Sequence, residues 1–225
     1  MAIILHIETA TKSCSVAISE KGVLLGHKEE HPESYVHSEK LTKHINDLLR
    51  GVGITFSEID AISLSSGPGS YTGLRIGSST AKGLCFALKI PLISVPTLKS
   101  LDSFARKKGI IGNICVMLDA RRMEVYSLIS SSEIKVLKKT SPDLLDKDTY
   151  KEFEPFIAIG DGAIKTKELW SNRYVKYDFS IKPSAIGQVS IAYEMFMTKQ
   201  VQKLESFEPN YFKDFIATFP KKRTQ

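Results

Sequence analysis

The rhythm of apolar positions changes repeatedly along the chain, and each change marks an element. Ala2 to Ile7 is almost continuously apolar, the pattern of a strand buried on both faces. Cys14 to Ser19 carries β-branched Val16 and Ile18, and a Glu20-Lys21-Gly22 turn leads into Val23 to Glu30. These three runs predict an antiparallel meander. From about Tyr35 to Arg50 the period lengthens to 3.6 residues, with Leu41, Ile45, Leu48 and Leu49 on one stripe and Gly51 placed as a C-cap. Ala61 to Leu64 reads as a short buried strand. A glycine-rich loop, a helix from about Tyr71 to Leu88, a strand at Pro91 to Val95 and a helix from Thr97 to Lys107 follow.

The second half repeats the order. Ile114–Leu118, Glu124–Ile129 and Ile134–Lys138 are strand candidates, and Ser141 to Leu145 opens a short helix with Pro142 at its first position. Phe156–Ile159 is a strand, Gly160-Asp161-Gly162 a turn, and Ala163–Trp170 and Pro183–Thr198 are helices. The β-β-β-α-β-α order occurs twice, which predicts an α/β protein of two lobes facing a cleft. The division falls near Lys108-Gly109, giving lobes 1–108 and 109–225, with the tail from about Val201 placed to return to the first lobe.

The segment SSGPGSYTGLRIG, Ser65 to Gly77, carries the most chemical information. Gly67, Pro68, Gly69 and Ser70 join a strand to a helix, where exposed N–H groups and the helix dipole suit an anion. A tight connection that binds nothing explains the same residues equally well. No Gly-Lys-Ser/Thr ends the loop, so it is not a P-loop. Gly160, Asp161 and Gly162 form a second, weaker candidate, and Asp119-Ala120-Arg121-Arg122 offers arginines for phosphate or carboxylate at the cleft or in a plain hairpin turn. On the helix after the first loop, Gly73, Gly77, Ala81 and Cys85 recur every four residues, with Thr80, Gly83 and Ala87 adding small side chains. Such a row lets another helix approach closely, either the chain's own 35–50 helix or a second protein.

Metal and nucleophilic chemistry find little support. His27 and His31 lie about 13 Å apart at strand geometry, and His37 and His44 roughly 10 Å apart on a helix, too far to share an ion. His27 and His31 therefore read as solvated. No histidine follows His44, and no Ser-His-Asp order is visible. Cys14, Cys85 and Cys115 are odd in number and widely spaced, which fits a reducing compartment. No secretory leader or apolar run of about 18 residues is present, so the expectation is a cytoplasmic protein without a membrane span. A net charge of +6 permits contact with RNA without identifying it. Lys221-Lys222-Arg223 reads as a solvated tail.

Taken together, IETATKSCSVAI, SSGPGSYTGLRIG, GLCFALKIPLISVPTLKSL and DARRMEVY, with GDGA and EPNYF further on, closely resemble the bacterial TsaB (YeaZ) family. The resemblance implies the actin-like/Hsp70-like ATPase (ASKHA) fold of two ribonuclease-H-like lobes. It implies a role in forming N6-threonylcarbamoyladenosine at position 37 of tRNAs that read ANN codons. In that family the transferase is the paralogue TsaD, TsaB is its non-catalytic partner, and the ATPase TsaE joins the assembly. Where the transferase carries a metal-binding His-x-x-x-His pair, this chain has Thr97 and Leu101, and Lys12 stands where the paralogue has an acidic residue. The implied TsaD-binding surface is the helix pair 35–50 and 71–88. On it we expect Leu41, Ile45, Leu48, Gly73, Gly77, Thr80, Ala81 and Leu84 at the interface, a homodimer when TsaD is absent, and no cofactor beyond weak ATP or ADP binding. The rival reading is an ATPase or kinase of the same fold that uses the Gly67–Ser70 loop.

Overall fold

A computed structural model describes residues 2–32 and 36–212. Two five-stranded mixed sheets carry the fold. The first contains β1 (Ile3–Glu8), β2 (Cys14–Glu20), β3 (Val23–Glu30), β4 (Ala61–Ser65) and β5 (Leu92–Val95), in the order β3-β2-β1-β4-β5. The second contains β6 (Asn113–Asp119), β7 (Glu124–Ser130), β8 (Val136–Leu144), β9 (Phe156–Ile159) and β10 (Val175–Asp178), in the order β8-β7-β6-β9-β10. In both, the first strand pairs antiparallel with the second and parallel with the fourth. The predicted duplication is therefore real for the strands, in an α/β fold of two mixed sheets, while the helices that the second half was expected to repeat after its third and fourth strands are 3-10 turns.

Among the described residues four α-helices surround the sheets: α1 (His37–Val52), α2 (Tyr71–Leu88), α3 (Thr97–Lys107) and α4 (Val189–Met197). Helices α1 and α2 cover one face of the first sheet, where Leu41, Ile45, Leu48 and Leu49 meet Leu5, Ile7, Val16 and Leu64. The opposite face is covered by α4 from the end of the chain, with Ala192 against Ile4, Ala61, Ile93 and Val95. Helix α3 instead packs on the second sheet, with Leu98, Leu101 and Phe104 against Ile114, Val116 and Leu128. Each half of the chain thus lends its last helix to the other half's sheet. Residues 202–211 also return to the first lobe, and Phe212 then packs against Tyr126 of the second. Gln202 N–H donates to Leu92 O at 2.8 Å, Phe207 joins the first core, and Asn210 N–H donates to Ser66 O at 2.6 Å.

Several elements differ from their predicted form. Helix α1 runs past Gly51 and ends at Gly53, whose φ of 71° supplies the left-handed cap that the stripe had assigned two residues earlier. Its predicted start at Tyr35 lies outside the described residues, as do Lys221, Lys222 and Arg223. Ser141 to Leu144 is the end of edge strand β8 and not a helix. Pro142 is tolerated there because β8 has only one neighbour, β7, and pairs with it irregularly. The predicted 163–170 helix is a 3-10 turn at Asp161–Thr166 followed by turns, because buried Trp170 must reach the core and donate Nε1–H to Asp146 O at 2.8 Å. Strand β10 has no clear apolar rhythm and was not predicted, and the last helix begins only at Val189, after a 3-10 turn.

The small-residue row on α2 serves the chain's own packing. Gly73, Gly77, Ala81 and Cys85 are all buried and face the first sheet. Thr9 Oγ1 donates to Gly73 O at 2.8 Å, and a Cβ on Gly73 would overlap the Thr9 carbonyl oxygen. A Cβ on Gly77 would overlap Thr9 Oγ1 and come within 3.0 Å of Leu64 Cδ1. The two glycines therefore let α2 lie directly on the end of β1. Because their neighbours are backbone and core, we expect Gly77→Leu to destabilise the protein by at least about 3 kcal/mol. A thermal melt should drop by roughly 6–12 °C or show no cooperative transition; an unchanged melt would place this face elsewhere.

Candidate functional site

The Gly67–Ser70 loop is a packed corner. Gly67 N–H donates to Thr97 Oγ1 at 3.1 Å, Ser70 N–H to Ala10 O at 2.6 Å, Gly73 N–H to Ser70 Oγ at 3.3 Å and Leu74 N–H to Ser70 O at 2.8 Å. Pro68 has no N–H to offer. Gly67 has a φ of 105°, and a Cβ there would stand 2.6 Å from Asn210 O, so the returning C-terminal segment sits against the loop. The Gly67 and Ser70 amides are thus turned to partners within the chain. Of the two readings open from sequence, the geometry favours the tight connection over the phosphate cradle.

Gly160, Asp161 and Gly162 behave similarly. Gly160 has a φ of 89° and abuts the Met117 carbonyl, and a Cβ on Gly162 would come within 2.8 Å of the Leu118 carbonyl carbon. Asp161 Oδ1 accepts the Asp119 N–H at 2.9 Å, tying this turn to the β6–β7 hairpin. Between the lobes remains a cavity of about 310 Å³, with the β1–β2 turn (Thr11, Lys12, Ser13) on one side and Gly160, Asp161, Phe179 and Lys182 on the other. His31, predicted to be solvated, lines this cavity and shares a 2.8 Å hydrogen bond with Ser13 Oγ. His37 and His44 are buried and hold loops, with Nε2 of each 2.7 Å from Thr11 O and 3.2 Å from Glu30 Oε1 respectively. Among the described residues no cluster of three potential metal ligands occurs. Thr97 and Leu101 are structural: one caps the glycine loop and the other is core.

Behind the cleft a chain of buried polar groups fastens the lobes together. His6 shares hydrogen bonds with Ser19 Oγ (2.7 Å) and Ser63 Oγ (2.6 Å), and Ser63 donates to Gln188 Oε1 at 2.6 Å. Gln188 Nε2 donates to Ile7 O at 2.8 Å and Ser65 Oγ at 3.0 Å, and Ser65 donates in turn to Glu8. Glu8 also accepts the Ala10 N–H at 2.7 Å, so both of its oxygens are engaged. Burial raises the Glu8 carboxyl to about 7, and burial with help from Lys107 lowers His6 to about 3. Sequence reasoning did not single out Glu8, His6 or Gln188. Polar residues inside apolar runs were the available signal.

The outer face of α2 differs from its inner one. Thr72, Arg75, Ser79, Gly83, Phe86 and Ala87 are exposed, Phe86 at 78%. Among the described residues nothing lies within 4 Å of where a Gly83 Cβ would be, so no contact among them accounts for a glycine in mid-helix. Of the residues predicted for an interface, Leu41, Ile45, Leu48, Gly73, Gly77 and Ala81 are interior, and only Thr80 and Leu84 are partly exposed. The helical period correctly found an apolar stripe, but that stripe is the one used by the core.

A family model described as "TsaD: tRNA N6-adenosine threonylcarbamoyltransferase" matches residues 31–222. The Escherichia coli protein named tRNA threonylcarbamoyladenosine biosynthesis protein TsaB is 28% identical over 225 residues, covering 95% of this chain and 96% of its own. The Bacillus subtilis protein of the same name is 29% identical over 140 residues, 62% of this chain and 60% of that one. Among solved structures, YeaZ from Pseudomonas aeruginosa superposes with a TM-score of 0.80 and 26% identity, covering 94% of this chain and 100% of that one. The chain belongs to the TsaB (YeaZ) family. The ethanolamine utilization protein EutJ from Carboxydothermus hydrogenoformans, at a TM-score of 0.50 and 10% identity, shares the fold alone.

In this TsaB-family chain the junction makes a pH prediction. A carboxyl raised from 4.5 to about 7 stabilises the fold relative to the ionised state below pH 4.5, and that advantage is lost as pH rises through 7. An imidazole lowered from 6.5 to about 3 acts in the opposite sense, destabilising as pH falls below 6.5. Glu8→Gln should match the parent near pH 4.5 and exceed its unfolding free energy at pH 8 by on the order of 3 kcal/mol. Urea melts across that range check it, and a pH-independent difference would refute the assignment.

Proposed function

We propose that the chain is the non-catalytic scaffold subunit of the assembly that forms N6-threonylcarbamoyladenosine at position 37 of tRNAs reading ANN codons, and that it docks TsaD through the outward faces of α1 and α2. The relatives named for this biosynthesis and the match to the TsaD model support the role. TsaE and tRNA are met within the same assembly, and without TsaD the same face would pair with a second copy. Committed loop amides, a hydrogen-bonded Glu8 and structural Thr97 and Leu101 support a non-catalytic reading over an ATPase or kinase. The exchanged helices and the Gln188 bridge oppose the lobe movement such an enzyme would use.

One observation carries the docking surface: exposed Phe86 beside Gly83, a glycine that packing among the described residues does not require. Ser79, Gly83 and Ala87 repeat every four residues on this face, so a partner helix can approach closely there, with Phe86 as an aromatic anchor. The expected row Gly73, Gly77 and Ala81 is interior, and these other small residues line the opposite side of α2.

Two substitutions test this. Gly83→Ala should stabilise the isolated chain by about 0.5–1 kcal/mol while weakening its binding to TsaD by titration calorimetry. Phe86→Asp should lower that affinity by about 100-fold with an unchanged circular dichroism spectrum. Undiminished binding by both variants would remove this face from the interface. Threonylcarbamoyl transfer or ATP turnover by the isolated chain would overturn the non-catalytic role.

A further inference from the structure

The β6–β7 hairpin ends in an unusual pair. Arg121 and Arg122 are consecutive and both left-handed, with φ of 69° and 47°. L-residues adopt this conformation at a cost that glycine avoids and asparagine reduces, which is why Asn-Gly is common in tight hairpins. Both arginines are exposed, and neither guanidinium makes a hydrogen bond, ion pair or ring contact among the described residues. The base beneath them is held firmly. Asp119 Oδ1 accepts the Arg121 N–H at 2.6 Å and Lys165 Nζ at 2.5 Å, Lys165 also donates to Glu124 O at 2.8 Å, and Asp161 accepts the Asp119 N–H. Nearby acidic groups thus neutralise Lys165 and brace the backbone, while the two arginines keep their charge for something outside the chain. Strain held at a rigid, exposed position is a mark of function.

We infer that the Arg121–Arg122 hairpin grips successive phosphates of an RNA backbone. A guanidinium fork matches phosphate oxygens, and two adjacent forks on a projecting turn suit a chain of phosphodiesters better than an enclosed single ligand. The committed Gly67 and Ser70 amides argue against a mononucleotide at the first glycine loop. The equivalent turn of the first lobe, β1–β2, carries exposed Lys12 on the wall of the same cavity as Asp161, the residue that braces the arginine hairpin. The net charge of +6 favours a polyanion. This inference rests on the proposed role for its choice of RNA, but it uses a surface separate from the α2 face.

The test is anisotropy titration of an unmodified, ANN-reading tRNA transcript with the full chain assembled with TsaD, across a salt series. Arg121→Asn/Arg122→Gly should weaken binding about 10-fold or more and reduce the slope of log K against log salt by about 1–2. The same double variant should melt at a higher temperature, because it relieves the backbone, and should bind TsaD normally. Arg121→Lys/Arg122→Lys should retain most of the salt slope. Unchanged tRNA affinity and slope in a complex that assembles normally would overturn the inference and leave the docking role intact. Competition by ATP at concentrations below those at which a tRNA-sized polyanion competes would assign the pair to a mononucleotide and also overturn it. Failure of the parent chain to join TsaD would instead count against the proposed function.

Discussion

Everything on the first lobe's outer surface follows from one close approach, that of α2 to the end of β1. Two missing side chains, at Gly73 and Gly77, allow the helix backbone to touch Thr9. That contact fixes the helix's rotation about its axis, sends Ala81 and Cys85 into the core, and leaves Gly83 and Phe86 facing outward. It also draws the preceding loop tight, so that its amides find partners at Ala10, Thr97 and Ser70. A loop pulled in this way is an anchor for a helix and poorly suited to wrap a phosphate. The same glycine-rich sequence thus seats a helix and turns the Gly67 and Ser70 amides to partners within the chain.

The lobes are joined by more than their linker. Helix α3 is packed on the second sheet and α4 on the first, and Gln188 carries hydrogen bonds between β1 and β4 at the point where the chain crosses back. Separating the lobes would expose apolar helix faces and leave several buried polar groups unpaired, each costing about 1–3 kcal/mol. A cross-braced body of this kind holds a surface in constant shape. The proposed scaffold role calls for such a surface.

Much of the fold was legible from periodicity. Strands buried on both faces and amphipathic α1 announce themselves because burial alone dictates their residue pattern. The second half was harder to read. Pro142 looked like a helix start because the rule for proline at N1 is local, whereas its tolerance in β8 depends on the strand lying at a sheet edge. The 163–170 segment has helical composition, yet the demand of Trp170 for a buried site and a partner at Asp146 outweighs that preference. The candidate site was legible as a list of segments but not as a set of directions. Gly77 and Gly83 both occupy helix-interior positions, and only packing shows that one is buried against Thr9 and the other faces open space.

The chain by itself determined the duplicated strand order, the family, and the residue types able to approach another helix or an anion, since residue type and spacing suffice for these. Tertiary structure alone decided which side of α2 is free, whose amides are spent, and which arginines remain uncommitted. The reason is physical. A helix has two faces, and an amide or guanidinium has many possible partners, so their use is settled only when the rest of the chain has taken what it needs.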